Sequence, residues 1–309
     1  MLMLVLVAGC TGTKASAVEV KLVPTASPTV ESIVTPTVVM QTPIETPIQD
    51  VTIGPRQTIK ISGSTTVLPI VQKAADRYMT SHPNADIQVI GGGSGIGIQA
   101  VSQKTVDIGM TSREVTPNEL KANPKFVITT IAKDGIAIII NPKNEMRFIT
   151  LDQIKNLYLG KITKWTEING AGVQNTNNQI ILIGRDSASG TRVYFDETIL
   201  LKATPLNSML EKNSNGAVLQ TVSQTPLSIG YVSIGFVSND VKVLPIWYNN
   251  DKIISPTIEN VKSKAYPISR DLYVITNGQP SGLTKEFIDY ILSPEGQKIV
   301  SDEGYVTIN

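Results

Sequence analysis

From Gln57 onward, apolar and polar positions alternate in two rhythms. Short apolar or period-two runs predict strands at Thr58–Ile61, Asp86–Ile90, Val106–Met110, Phe126–Ile131, Gly135–Ile140, Gln179–Ile183, Ser228–Val232 and Leu272–Thr276. Between them, apolar residues three and four apart predict helices over Val67–Thr80, Ile96–Gln103, Leu151–Leu159, Thr191–Leu200, Gly216–Ser223, Leu283–Leu292 and Pro294–Asp302. The first of these places Val67, Ile70, Val71, Ala74 and Tyr78 along one stripe. Strand–helix alternation of this kind predicts an α/β architecture, and no fixed-period repeat interrupts it.

The rhythm is absent before Gln57. Pro24, Pro28, Pro36, Pro43, Pro47 and Pro55 punctuate a Thr/Val/Ser-rich stretch, residues 11–56, that cannot bury enough surface to order itself. Its composition suits a tether reaching about 40 Å as a flexible chain. Met1–Val7 is nearly all apolar yet too short to span a bilayer, and Val7-Ala8-Gly9-Cys10 closes it with small residues. This pattern resembles a lipoprotein signal with its lipobox, so Cys10 is the expected lipidation site and 1–10 the signal. The run lacks the basic residues that usually precede it, so the true start is expected farther upstream.

Four strand-to-helix turns carry the candidate chemistry. They are Ser62-Gly63-Ser64-Thr65-Thr66, Gly91-Gly92-Gly93-Ser94-Gly95, Met110-Thr111-Ser112-Arg113-Glu114, and Gly184-Arg185-Asp186-Ser187-Ala188-Ser189-Gly190-Thr191-Arg192. A helix start presents unpaired backbone N–H groups and the positive end of a dipole, which together favour an anion. Ser64, Thr65, Thr66, Ser94, Ser112, Ser189 and Thr191 add hydroxyl donors, and Arg113 and Arg185 add planar cations. One such turn is ordinary helix capping; four in one chain predict a shared anion site.

Composition narrows the alternatives. The 309 residues hold 41% hydrophobic and 17% charged residues with a net charge of +1, which supports a real core and gives no general attraction to nucleic acid. One cysteine precludes an intramolecular disulfide, zinc ribbons and iron–sulfur ligation, and no metal-ligand cluster or cofactor motif of weight is visible. His82, the only histidine, sits in the turn Ser81-His82-Pro83-Asn84 and suits a surface position better than a catalytic triad. Gly95-Ile96-Gly97-Ile98-Gln99-Ala100 matches a dinucleotide-binding pattern, but it does not open the first strand–helix unit. Trp165 reads as a packing aromatic.

These residues resemble the phosphate-binding proteins of phosphate ABC transporters. The resemblance covers about Gln57 to Asn309. It rests on Ile61-Ser62-Gly63-Ser64-Thr65-Thr66, Gly93-Ser94-Gly95, Asp107-Ile108-Gly109-Met110-Thr111-Ser112-Arg113-Glu114, Asp134-Gly135-Ile136-Ala137, Gly160-Lys161-Ile162-Thr163-Lys164-Trp165, Arg185 with Ser189-Gly190-Thr191-Arg192, and Ser293-Pro294-Glu295-Gly296-Gln297, in that order. It implies an α/β fold of the type 2 periplasmic-binding-protein class: two lobes, two hinge crossings, and a ligand cleft between the lobes. Lobe I is expected over 57–134 and 267–309 and lobe II over 135–266, with hinges at Asp134-Gly135 and Tyr266-Pro267. The implied phosphate-binding residues are Ser64, Thr65, Thr66, Ser94, Ser112, Arg113, Arg185, Ser189, Gly190 and Thr191. The implied protein is a monomeric, non-enzymatic receptor, lipid-anchored on the extracytoplasmic face, that delivers inorganic phosphate to permease subunits without a cofactor. Many relatives carry an aspartate at the place of Ser112, which accepts the proton of hydrogen phosphate and repels sulfate. Here the acceptor is a hydroxyl, a backbone carbonyl, Asp186 or Glu114, although the two carboxylates are rather expected to hold the arginines through ion pairs. Other tetrahedral oxyanions (molybdate, tungstate, sulfate) are the alternative ligands, and a secreted phosphoester hydrolase the alternative function.

Overall fold

The computed structural model describes residues 55–168, 179–248 and 252–309, all within the unit Val51–Asn309. Cys10 and the segment 11–54 lie outside the described residues. Three β-strands and two α-helices open the fold: β1 (Gln57–Gly63), α1 (Leu68–Ser81), β2 (Ala85–Gly91), α2 (Ser94–Ser102) and β3 (Ile108–Thr111). The three strands run parallel in the order β2-β1-β3, because each crossover is a helix whose apolar stripe must return to the same sheet. On α1 the stripe is Ile70, Val71, Ala74, Ala75 and Tyr78, all buried.

The short helix α3 (Pro117–Ala122) then leads into β4 (Phe126–Ile140), a single strand of 15 residues. Two separate strands were expected here, because Ala132-Lys133-Asp134-Gly135 interrupts the apolar run. The structure corrects that reading: the polar residues stay in the ladder and meet opposite charges on the neighbouring strand, Lys133 with Asp271 and Asp134 with Arg270. The following elements are β5 (Ile149–Thr150), α4 (Leu151–Tyr158), β6 (Ile181–Arg185), α5 (Gly190–Thr198), β7 (Leu210–Lys212), α6 (Asn215–Gln224) and β8 (Ser228–Ser233). Next come β9 (Lys242–Leu244), β10 (Ile246–Tyr248), β11 (Lys252–Ile254) and α7 (Ile258–Lys262), and the chain closes with β12 (Ser269–Asn277), α8 (Gly282–Leu292) and α9 (Pro294–Asp302). Among the described residues the main sheet runs β2-β1-β3-β12-β4-β8-β6-β7, with β9 also on β4.

β4 changes partner midway. It pairs antiparallel with β12 as far as Gly135↔Ser269, and with β8 from Ile136↔Ser233. The hydrophobic core changes at the same place. One large cluster gathers residues between Ile59 and Ala132 with others between Leu272 and Tyr305; a second gathers Ile136–Ile268 with Val306; a small third one, beside the first, holds Ile98, Val101, Val115 and Ile275. The sheet is therefore continuous while the core is divided; β4 is the strand that crosses the divide, and the chain crosses it again between Ile268 and Leu272 and between Tyr305 and Val306. Trp165 is fully buried and its indole N–H donates to Leu227 O at 3.0 Å, the packing role expected of it. No helix among the described residues is long and apolar enough to cross a membrane.

Candidate functional site

The four turns meet at the divide. Ser64, Thr66, Ser94, Ser112, Arg185, Ser189 and Thr191 are each at most 2% exposed, and Gly190 is buried among them. Thr65 is half-buried and accepts a hydrogen bond from Arg185 Nη2 at 3.1 Å. Local chemistry sets each position. Ser64 follows β1 and accepts from the N–H groups of Thr66 and Val67 at 3.2 and 3.4 Å, so its hydroxyl proton stays free. Ser189 caps α5, accepting from Arg192 N–H at 3.2 Å. Two hydroxyl pairs span the divide or approach it: Thr66 Oγ1 and Thr191 Oγ1 at 3.2 Å, and Ser94 Oγ and Ser112 Oγ at 3.3 Å. Gly190 has no side chain because none fits: a Cβ there would overlap Ser94 Oγ and stand 2.8 Å from Ser112 Oγ. Across the same seam, Gly95 N–H donates to Ala188 O at 3.0 Å.

Arg185 ends β6 with its side chain almost wholly buried. Its backbone N–H donates to the Tyr231 hydroxyl, and Tyr231 in turn stacks on Phe195 of α5 with ring centroids 4.0 Å apart. Nε and Nη2 donate to the carbonyls of Lys212 and Asn213, both at 3.2 Å. Nη1 is buried without a partner. Arginine ion pairs among the described residues belong to Arg56, Arg77, Arg113, Arg192 and Arg270, and Arg185 has none. Burial pulls its pKa down to about 10, which still leaves a cation at neutral pH. A buried guanidinium with no carboxylate partner, held only by two carbonyls and the Thr65 hydroxyl, is an electrostatic deficit that an anion fills.

The Arg113 side chain, expected at the site, takes its hydrogen-bond partners outside the cluster. Its Nη1 and Nη2 bind Glu119 at 2.8 and 2.7 Å in a bidentate fork, and Nη1 also donates to Glu114 O. Glu119 holds it because that carboxylate is already fixed by a capping box with Thr116 at the start of α3. Arg113's hydrogen bonds hold Glu119, whose carboxyl falls to about 2 chiefly through them. The ion pairs expected from Glu114 and Asp186 are likewise not formed. Glu114 offers only its carbonyl, and Asp186 Oδ1 accepts from Ala188 N–H at 3.1 Å within its own turn.

The second cation at the cluster is Arg270, which sequence reasoning missed. It sits on β12 beside the crossing, 6% exposed, and donates to Ser112 O at 2.9 Å and Thr191 Oγ1 at 2.9 Å. Asp134 holds it from β4, accepting from Nε at 3.0 Å and Nη2 at 2.8 Å. Asn215, at the start of α6, was also missed; its Nδ2 donates to Thr66 Oγ1 at 2.9 Å. A signal for the ion pair existed: Lys133-Asp134 and Arg270-Asp271 put adjacent opposite charges into two strands that are otherwise rich in apolar residues. Nothing in the sequence marks Asn215. His82 is exposed, stacked on Tyr78, and remote from the cluster's contacts. The Gly95-x-Gly97 pattern has a packing cause: a Cβ on Gly97 would stand 2.7 Å from both Met110 O and Ser62 O, so the glycine lets α2 lie against β1 and β3.

Comparison with known proteins places this architecture. Residues 42–295 match the family model for a PBP superfamily domain. The chain is 35% identical over 251 residues to the phosphate-binding protein PstS of Bacillus subtilis, covering 81% of this chain and 80% of that one. It is 30% identical over 259 residues to PstS of Borreliella burgdorferi, covering 81% and 90%. The phosphate-bound structure of an ABC transporter substrate-binding protein from Clostridium perfringens superposes with a TM-score of 0.75 at 32% identity, over 82% of this chain and all of that one. An ABC-type phosphate transport receptor from Vibrio cholerae gives 0.66 at 31% identity, over 81% and 99%.

Proposed function

This chain belongs to the PstS family of phosphate-binding proteins in the PBP superfamily, with its two-lobed type 2 fold, and from that premise we propose that the buried Ser/Thr/Arg cluster captures inorganic phosphate outside the cell membrane and presents it to an ABC permease. The observation that carries the reading is Arg185: a guanidinium 1% exposed, with no carboxylate partner and an orphaned Nη1, reaching Thr65 of the first turn. Such a group is costly unless an anion completes it. The binding residues are Ser64, Thr65, Thr66, Ser94, Ser112, Arg185, Ser189, Gly190 and Thr191. The protein is a receptor that closes on its ligand and performs no turnover.

The lobes are 57–134 with 267–309, and 135–266. The partner switch of β4 at Gly135 and Ile136 and the change of core cluster between Ile268 and Leu272 support that division. Cys10 carries the lipid that keeps the mature chain at the membrane, and intact mass of the membrane fraction reads it directly; an unmodified thiol there rejects the anchor.

Ser112 receives the proton of hydrogen phosphate. The Ser94–Ser112 pair takes one N–H donor, from Ser112 to Ser94 at 3.0 Å, so an acceptor position stays open on Ser112 whichever hydroxyl donates to the other. Calorimetry with phosphate, arsenate, sulfate, molybdate and tungstate at matched ionic strength tests the whole reading. Arg185→Ala is expected to lose about 30-fold to several thousandfold in phosphate affinity, the range for truncating one side of a buried charged contact. Ser112→Asp should widen the preference for phosphate over sulfate. Unchanged phosphate binding by Arg185→Ala removes the site from this place.

A further inference from the structure

Six residues form a closed hydrogen-bonded ring across the divide. Asp134 Oδ2 accepts from Arg270, whose Nη2 donates to Thr191 Oγ1 at 2.9 Å and approaches Thr66 Oγ1 at 3.4 Å. Thr191 and Thr66 share a hydroxyl contact of 3.2 Å, and Asn215 Nδ2 donates to Thr66 Oγ1 at 2.9 Å. Asn215 Oδ1 accepts from Ser233 N–H at 3.2 Å, which fixes the amide with its NH2 toward Thr66. Ser233 Oγ closes the ring by donating to Asp134 Oδ1 at 2.7 Å, joined there by Ile234 N–H at 3.3 Å. The Asp134 and Arg270 side chains are 0% and 2% exposed.

A hydroxyl has one proton and two acceptor positions. Suppose Thr191 donates to Thr66: then Asn215 and Thr191 fill both acceptor positions of Thr66, and the Thr66 proton has no partner in the pair. Suppose instead Thr66 donates to Thr191: then Arg270 and Thr66 fill Thr191, and its proton is left over. Either way one hydroxyl is saturated as an acceptor and offers one proton. The Ser94–Ser112 pair, fed by a single N–H donor, carries no such restriction.

We propose that Arg270 and Asn215 are positioning residues of the anion site, which act through Thr66 and Thr191 to lock that hydroxyl pair as a donor toward an unprotonated ligand oxygen. The inference rests on the oxyanion reading above. Asp134 keeps Arg270 in place, and Ser233 keeps Asn215 in place. Because Thr66 follows β1 and Arg270 lies on β12, while Thr191 starts α5, Asn215 starts α6 and Ser233 ends β8, the donor lock assembles only when these two groups of elements meet.

The test is calorimetry of phosphate binding, with thermal unfolding measured in parallel, on Arg270→Lys, Asn215→Ala and the pair D134N/R270Q, which removes both charges and leaves no orphaned carboxylate. Each is expected to lose about tenfold to a hundredfold in affinity, as outer partners of metal ligands do when removed. The decisive readout is coupling: in a Thr66→Val, Thr191→Val background, which has no hydroxyl pair to orient, the same three changes should cost less than about threefold, a non-additivity that independent sites do not show. If the changes lower the melting temperature but leave affinity unaltered, or cost the same with and without the hydroxyls, the positioning role is overturned while phosphate binding by the parent stands. A parent that binds neither phosphate nor any other oxyanion of the series overturns the functional reading and this role with it.

Discussion

Arg113 and Arg185 look alike in sequence, each a cation at the end of a strand beside serines, and their surroundings separate them. Glu119 meets Arg113 within six residues, so its charge is spent locally. Arg185 finds only carbonyls and a threonine hydroxyl, so its charge remains for a ligand. The Arg113–Glu119 pair has its own consequence for acid stability. Glu119 falls from 4.5 to about 2 in the folded protein, first through hydrogen bonds from Arg113. A depressed carboxyl contributes stability that is complete above its unfolded value and is lost as pH drops from there toward 2. Glu119→Gln keeps the capping box, since glutamine serves there, and removes the charge together with one acceptor of the fork to Arg113. We expect the variant to melt lower at pH 7 and to lose less between pH 5 and pH 2 than the parent. Parallel melting curves across that interval would refute the assignment.

At the scale of elements, the site is a set of helix starts pressed together. Ser189 caps α5, and the buried face of that helix, with Phe195 between Tyr158 and Tyr231, fixes its axis against the sheet. The tip of α5 can then touch α2 and β3 only because residue 190 is glycine. Gly190→Ala should be tolerated by the helix itself, where alanine is the better former. Its methyl would collide with Ser94 Oγ and crowd Ser112 Oγ across the seam, an overpacking that costs about 1–3 kcal/mol. Phosphate affinity is therefore expected to fall by roughly 5-fold to 150-fold with little change in the melting temperature of the unliganded protein. A variant that binds as the parent does would show that α5 does not meet α2 in the bound state.

For the whole molecule, the passage of β4 and of the segment before β12 from one large core cluster to the other defines where bending can occur. Contacts such as Thr66–Thr191, Asn215–Thr66 and Gly95–Ala188 join the sides in the arrangement described. An anion that binds donors from both sides stabilises the closed form over an open one. Small-angle scattering should thus report a smaller radius of gyration at saturating phosphate than without it. The same radius in both conditions would mean that the cleft does not close on its ligand.

The fold class and most strands and helices were legible in the chain, because a buried face imposes its own period on the residues that form it. Hydroxyls and glycines at strand-to-helix turns were legible for the same local reason: capping and helix-start chemistry act within a few residues. Short elements escaped. β5, β7, β9, β10, β11, α3 and α7 are two to six residues long, too brief for a period to emerge, and they exist because neighbours pair or pack with them. The continuity of β4 escaped because Asp134 looks like an interruption until Arg270 of β12 stands beside it. Which cation faces the anion was also undecidable locally. Arg113 and Arg270 are 157 positions apart in sequence, and only the pairing of β12 with β3 and β4 brings Arg270 to Ser112 and Thr191. The sequence by itself determined which residues can give protons to an anion, since that depends on side-chain type and the turn that holds it. The tertiary structure decided which of those donors remain free, since that depends on which partners from distant strands reach them first.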